Sequence, residues 1–239
     1  RITLSPQRDA DLTLRFSGTS LDPYVRLLEP RLSPFTTIVA GGALRLVGPL
    51  RDTPRLRAEG SVDGLDLRFF DYQLRNDGPV KLGLANDVAT IERLRLVGEG
   101  TTLEMVGEVD VAAERVRVRA LGDANLSLLQ AFFRDIRSSG AAEVQAEVTG
   151  STRAPIVIGS ALVTNGRLRY LGLPHAIDGV NGRVEFDAAG VRVDGLAGRM
   201  GGGEVRFGGR IGVKGGSIDS YSLTAIGRDM RLRYPEGFR

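Results

Sequence analysis

Few residues of this chain could carry out covalent chemistry. The sequence has 239 residues, with no cysteine, no tryptophan and a single histidine, His175. Without cysteine the chain has no disulfides, thiolate zinc sites, iron–sulfur clusters or cysteine nucleophiles. His175 follows Pro174 in a loop-like segment, and no set of partner residues for catalysis or metal binding accompanies it. We therefore predict no catalytic site, no metal site and no cofactor.

Two other groups of residues resemble known sites but lack the context that those sites need. Gly201-Gly202-Gly203 precedes a strand-like segment rather than a helix, so it predicts a tight turn or bulge instead of a phosphate loop. Asp63, Asp66, Asp71 and Asp77 form an acidic cluster without the spacing of an EF-hand. We expect these carboxylates to lie in turns or on the outer face of a sheet.

Alternation of aliphatic and polar residues dominates the chain and predicts its fold class. It is clear at 12–16, 143–148 and 183–186. A period of two is typical of antiparallel strands with one buried face and one solvated face. Turn signals separate these segments, and the 32 glycines make about 13% of the chain against an average of about 7%. We predict an all-β meander of about fourteen or fifteen strands, which would extend ~70 Å.

Two segments, 20–35 and 125–136, depart from this alternation and show helical spacing of apolar residues. Asp22-Pro23 and Asn125 are suitable helix starts. We predict two short amphipathic helices of about three turns, packed on the end or edge of the sheet. A helix that binds a membrane surface or a partner is the alternative, but neither segment has the Lys/Arg-rich polar face that this role favours.

The helical segments lie about a hundred residues apart, and so do the strand motifs that follow them. Residues 62–67 match 164–169, and residues 103–109 match 205–211. This pattern predicts stacked repeats in one continuous sheet rather than separate domains. The first helix-plus-strands repeat spans 1–110 with an incomplete start, the second spans 111–213, and 214–239 begins a third strand set. Because the chain begins and ends within strand-like sequence, we expect it to be part of a longer protein.

An ordered set of motifs is clearest in the second repeat. It reads GAAEV at 140–144, PIVIG at 155–159, NGRLRY at 165–170, LPHAIDGVNGRVEF at 173–186 and GGGEVRFGG at 201–209. In this order the motifs resemble the repeats of TamB, the translocation and assembly module family of the AsmA-like superfamily. The resemblance spans most of the chain.

The resemblance implies a Gram-negative envelope protein that lies in the periplasm and is anchored in the inner membrane by a helix outside this sequence. It implies an extended, curled, antiparallel-rich sheet that forms a U-shaped groove, or β-taco. The implied partners are phospholipid, with its acyl chains in the groove, and an Omp85-type outer-membrane barrel that another part of the full chain contacts. The implied function is non-enzymatic carriage of phospholipid between the inner and outer membranes.

Two alternatives belong to other functional classes. The first is a periplasmic scaffold that assists outer-membrane β-barrel protein assembly or secretion by β-augmentation, the addition of a strand to a sheet edge. The second is a β-solenoid enzyme that acts on carbohydrate. That enzyme would need paired carboxylates and aromatic platforms, and aromatic residues are only 6% of this chain.

Alternation along each strand identifies the residues that we expect to line the groove. The same residues would equally form the inward face of a closed sandwich or barrel. The predicted lining is Leu44, Leu46, Leu67, Phe69, Leu82, Leu84, Leu103 and Met105 in the first repeat, and Val144, Ala146, Val148, Ile156, Ile158, Leu162, Leu168, Tyr170, Val184, Phe186, Val205 and Phe207 in the second.

Charge is nearly balanced, with 32 basic and 29 acidic residues. Arginines recur on one face of a strand, as at Arg115, Arg117 and Arg119. This pattern predicts a solvated outer face that discourages aggregation of the sheet, with contact to anionic headgroups at a groove rim as the alternative. Nucleic acid is not an expected partner, because the arginines lack interleaved aromatic residues and are matched by acids.

Overall fold

The computed structural model describes residues 2–4, 9–28, 33–49, 52–131, 133, 135–172, 174–214 and 217–231. These residues form fifteen β-strands, one α-helix and two short 3-10 helices. No helix among them is long and apolar enough to cross a membrane.

The elements follow one another along the chain with short connections. The helices are α1 (Asp22–Leu28) and the 3-10 helices Thr53–Arg55 and Leu126–Ala131. The strands are β1 (Ile2–Leu4), β2 (Asp9–Ser20), β3 (Thr36–Pro49), β4 (Arg57–Phe69), β5 (Tyr72–Asn76), β6 (Val80–Ala85), β7 (Val88–Gly98), β8 (Thr101–Asp110), β9 (Arg115–Asn125), β10 (Ile136–Ser151), β11 (Ala154–Tyr170), β12 (Ile177–Asp187), β13 (Gly190–Met200), β14 (Gly203–Lys214) and β15 (Ser217–Arg228).

All fifteen strands belong to one antiparallel sheet, in which they follow chain order except at β5 and β6. These two short strands both lie between β4 and β7, β5 at one end and β6 at the other. Pro79 precedes β6, and a proline has no backbone N–H to donate to a sheet ladder, which accounts for the interruption. The prediction of an all-β antiparallel meander is confirmed.

The later strands follow the earlier ones at a constant interval. Strands β7, β8 and β9 begin at residues 88, 101 and 115, and β13, β14 and β15 begin at 190, 203 and 217, each 102 residues later. This interval is compatible with the predicted repeat, whose boundaries stay a prediction.

Both predicted helices differ from expectation. Helix α1 ends at Leu28, residues 29–32 lie outside the described residues, and β3 has begun by Thr36. In the second segment the structure has a 3-10 helix, so the predicted three-turn α-helix is wrong. There the side chains of Ser127 and Gln130 donate hydrogen bonds to the carbonyl of Ser138 at 3.0 and 3.2 Å. These bonds connect the segment to β10.

The buried core is small. It lies along the side of the sheet that is formed by the strand ends next to α1, and this side is here called the helical edge. The first cluster contains Tyr72, Leu74 and Leu96, and the second contains Ala142, Val163 and Val180. The accessible surface is 15762 Å², whereas a compact monomer of this mass exposes about 10,400 Å².

Candidate functional site

The register of the sheet divides its side chains into two faces. Directly opposed residues of antiparallel strands point to the same face. When these pairs are followed from strand to strand, Leu44, Met105, Val144, Val184 and Phe207 fall on one face, here called the apolar face. The other is called the polar face.

The apolar face holds most of the residues predicted to line a groove. The strand pairs bring together Leu44, Leu46, Leu67, Phe69, Leu82, Leu84, Leu103, Met105, Val144, Ala146, Val148, Leu168, Tyr170, Val184, Phe186, Val205 and Phe207.

The remaining three predicted residues, Ile156, Ile158 and Leu162, lie on the polar face, so their assignment to the lining is wrong. They are paired with Thr149, Glu147 and Glu143 of β10. The reason is a β-bulge in β11, where the register shifts between Val163 and Gly166. An extra residue reverses the alternation on its far side, so a pattern that fits Leu168 and Tyr170 fails before the bulge.

Before the bulge, the residues of β11 on the apolar face are instead Val157, Ala161 and Val163, which the alternation did not predict. They are paired with Val148, Val144 and Ala142 of β10. The signal that marks the shift is Asn165-Gly166. Asn165 has a φ of 48°, and its backbone N–H donates to the Asn181 side chain at 2.9 Å. A left-handed residue within a strand is typical of a bulge.

The apolar face carries no charge along the sheet. Among the strand residues whose side chains the structure describes, no register-paired residue on this face is acidic or basic. Three polar members of this face, Thr36, Thr101 and Ser138, are buried at the helical edge. The Thr101 hydroxyl is hydrogen-bonded to Tyr72, and the Ser138 hydroxyl donates to the carbonyl of Leu126 at 2.7 Å.

The sheet bends so that the apolar face lies inside the bend at the helical edge. Leu128 of the 3-10 helix packs against the first cluster on β5 and β7, and Leu126 packs against the second cluster on β10, β11 and β12. These two leucines are about 4 Å apart along a 3-10 helix axis. In a flat sheet β5 and β11 would be separated by ~24 Å. The strands must therefore curve around this helix.

The polar face carries arginines and carboxylates that form ion pairs across neighbouring strands. Arg45 bonds Asp11 at 2.8 Å, and Arg119 bonds Glu147 at 3.2 Å. Arg210 bonds both oxygens of Asp187 at 2.9 Å, and these bonds lower the pKa of the Asp187 carboxyl. These pairs are solvent-exposed, as predicted for an outer face.

Charged residues that lie together on the polar face are bonded to structural partners. A hollow of about 410 Å³ on the polar face includes Glu108, Asp110, Arg115 and Arg117 in its lining. There Asp110 accepts a hydrogen bond from the Ala113 N–H at 2.7 Å, which lowers its pKa, and it also pairs with Arg115 at 3.3 Å. The residues that the structure describes contain no cluster of His, Cys, Asp or Glu that could hold a metal ion.

The remaining candidates also have local roles. Asp63 accepts from the Ser61 hydroxyl at 2.6 Å, Asp66 from the Gln73 amide at 3.2 Å, and Asp77 pairs with Arg95 at 3.1 Å.

His175 and the three successive glycines lie in two different turns. His175 is half-buried and lies in the segment that connects β11 to β12. Gly201 and Gly202, with φ of 59° and 87°, form the turn before β14, which confirms the predicted tight turn.

No protein-family model matches the chain, and neither a curated protein nor a solved structure is significantly similar to it. The resemblance to TamB repeats therefore rests on the ordered motifs of the sequence alone.

Proposed function

We propose that this chain is a non-enzymatic segment of a TamB-like periplasmic bridge that carries phospholipid acyl chains between the inner and outer membranes. The observation that carries the proposal is the apolar face, which continues across the sheet without a charged residue among the described strand positions. An uncharged path lets an acyl chain slide without meeting a buried charge, which would cost several kcal/mol.

The free energy of burying acyl methylenes on such a path is large enough to hold a lipid and small enough to let it move. Removing one CH2 from water contributes ~0.8 kcal/mol, so a few methylenes hold a lipid that can still move between equivalent aliphatic positions. The large accessible surface and the bend toward the apolar face support a groove that is open to ligand. The lipid headgroup would remain in water at the open rim, while the arginine pairs of the polar face would keep the outside of the sheet soluble.

Photo-crosslinking at opposite faces tests this proposal. A photoreactive residue at Val184 or Phe207 faces the apolar side, whereas one at Arg183 or Arg206 faces the polar side. When the protein is expressed in a Gram-negative host, we expect phospholipid adducts at the first pair and none at the second. Equal labelling of both pairs would overturn the groove.

A stricter comparison tests whether lipid is captured by the apolar face or by any exposed hydrophobic residue. Val157 and Ile158 are neighbours on β11 and are 41% and 45% exposed, but only Val157 lies on the apolar face. A photoreactive residue at Val157 should capture phospholipid, and one at Ile158 should not. Capture at Ile158 alone would place the lipid path on the wrong side of the sheet and contradict the proposal.

A second candidate function is a scaffold for the strands of outer-membrane proteins. Strand β15 is 12 residues long, and among the described residues its only strand partner is β14. It contains no lysine or proline, the residues that commonly protect an edge strand, and Tyr221 and Ile226 are exposed on it.

This scaffold function predicts that immobilised protein retains unfolded barrel peptides with no lipid bound. A β15 variant with Ser222→Pro should then lose peptide but keep lipid in the crosslinking assay. If Ser222→Pro retains the peptides, strand addition at β15 is excluded.

A further inference from the structure

The polar face carries a group of exposed aliphatic and acidic side chains on β9, β10 and β11. Leu121 of β9 is 51% exposed, and Leu162 of β11 is 41% exposed. Between them Asp123 and Glu143 lie directly opposite each other in the β9–β10 ladder, and Glu143 is also opposite Leu162. Like charges in this arrangement are destabilising unless an opposite charge joins them. We call these four residues the acidic patch.

The chain itself does not supply that opposite charge. Within the part of the chain that the structure describes, Asp123 and Glu143 form no ion pair or hydrogen bond through their side chains. Arg183 lies opposite Leu162 on the next strand, but it donates to the hydroxyl of Ser160 at 3.0 Å. Two exposed carboxylates beside two exposed leucines therefore remain available to a basic partner.

The same face carries a basic counterpart at the far end of the sheet, on β13, β14 and β15. Arg206 is directly opposite Ile226, which is 66% exposed. Arg199 and Arg228 lie on either side of Glu204 in the ladder, so three arginines outnumber one carboxylate. Among the described residues, none of the three arginines has an ion-pair partner. We call Arg199, Arg206, Ile226 and Arg228 the basic patch.

The two patches are too far apart to neutralise each other within one chain. Four strand spacings separate β10 from β14, which is ~19 Å in a flat sheet. The charged residues between the patches already have partners, since Arg192 pairs with Glu185 and Arg210 pairs with Asp187. An exposed apolar group beside unpaired charge is thus present twice on one face, with opposite sign.

We infer that a second copy of this chain docks on the polar face, with its basic patch on the acidic patch of the first copy. A two-fold axis that runs along the strands near β12 places β10 of one copy over β14 of the other, and β9 over β15. Each contact then occurs twice, as in other symmetric dimers. Glu143 faces the partner's Arg206, and Leu121 approaches the partner's Ile226. Complementary charge sets the register of the two sheets.

The area of this face is sufficient for a specific dimer. Strands β9 to β15 span ~29 Å across the sheet, and eight residues along each strand span ~27 Å. The face therefore measures ~780 Å², close to the ~800 Å² that each partner buries in a specific interface. Two sheets that pack face to face with aligned strands are a common arrangement. The inference uses only the polar face and goes beyond the proposed lipid path.

Charge reversal tests the docking. Sedimentation velocity of the wild type should show a monomer–dimer equilibrium that added salt shifts toward the monomer. Glu143→Arg and Arg206→Glu should each weaken the dimer by more than about tenfold, because each creates two like-charge contacts. The double variant restores opposite charges and should restore the wild-type affinity. Glu59→Arg, a control on β4 of the same face, should leave the affinity unchanged. A monomer at every concentration, or a double variant as weak as the single variants, would overturn the inference.

The absence of cysteine from the chain allows a second test by disulfide formation. A mixture of Leu121→Cys and Ile226→Cys should form disulfide-linked dimers faster than either variant alone, because position 121 meets position 226 of the partner. Val47→Cys is the matched control, since Val47 is 40% exposed on the polar face of β3, and it should not link to Leu121→Cys. Equal linking by Leu121→Cys alone would contradict this docking. If no dimer forms while Val184 still captures phospholipid, the docking is wrong and the proposed function stands.

Discussion

The guanidinium of Arg137 lies 4.6 Å from the centroid of the Phe70 ring, although β5, β7, β8 and β9 separate their strands in the sheet. In a flat sheet β4 and β10 would be ~24 Å apart. Phe70 has a φ of 57°, a left-handed conformation that is costly for a bulky residue. Its ring also packs against Phe35. The tip of the β4–β5 hairpin is thus held by contacts from β10 and from the segment before β3, and these contacts fix the bend.

The first prediction concerns the contribution of this contact to stability. Arg137→Ala removes a cation–π contact and should lower the free energy of unfolding by about 0.5–1 kcal/mol. Arg169→Ala removes the like charge opposite and no ring contact, so it should leave stability unchanged or slightly higher. Urea unfolding followed by circular dichroism measures both. An equal loss in the two variants would show that the ring contact contributes nothing.

The second prediction concerns close approach between β8 and β9. Gly122 has a φ of 128°, and a Cβ there would lie 2.1 Å from the carbonyl oxygen of Thr102. Gly122→Ala should therefore destabilise the protein by more than about 1 kcal/mol. Gly64→Ala is the control, because a Cβ at Gly64 meets nothing within 4 Å. The Gly64→Ala variant should unfold at the same urea concentration as the wild type or a higher one. A large loss of stability in this variant would contradict the role of close approach at Gly122.

The fold was predictable where the local pattern and the tertiary structure agree. Period-two alternation identified antiparallel strands and one apolar face, because each strand buries the same face against its neighbours. The pattern failed at Ile156, Ile158 and Leu162, because a one-residue bulge reverses the faces within β11. Bulges are set by the partner strand as much as by Asn165-Gly166, so counting residues along one strand cannot locate them.

The helical segments and the bend were less predictable. The helical spacing at 125–136 did not identify the contacts that hold this segment: a 3-10 helix spans Leu126–Ala131, and its Leu126 and Leu128 contact different clusters. The contact between Phe70 and Arg137 spans the bend. Such long-range contacts depend on the curvature of the whole sheet, and no local pattern in the sequence encodes them.

The third prediction concerns pH. The Arg210 guanidinium and the backbone N–H of Ala189 donate hydrogen bonds to Asp187, so the pKa of its carboxyl lies below the ordinary value in the folded state. A lowered pKa contributes stability that is complete above the unfolded pKa of about 4 and is lost as the pH falls through the folded value. Asp187→Asn should therefore destabilise the protein at neutral pH and have less effect at about pH 3. Urea unfolding at both pH values measures the difference, and Arg210→Gln should show the same dependence. An effect of Asp187→Asn that is independent of pH would rule out this linkage.

The last prediction places one new charge on each face of β11 in turn. Val157→Glu puts a carboxylate on the apolar face, and Ile158→Glu puts the same carboxylate on the polar face one residue later. Both positions are similarly exposed, so both changes should have small effects on unfolding, with a slightly larger loss for Ile158→Glu because its carboxylate lies opposite Glu147. Lipid retention should separate them, because a carboxylate on the apolar face excludes the methylenes that would otherwise contact it. Each displaced CH2 should reduce lipid retention about fourfold.

Mass spectrometry of the phospholipid that co-purifies with each variant measures lipid retention, with the wild type as reference. Equal lipid content in the two variants would mean that the apolar face is not the lipid path, whatever its composition.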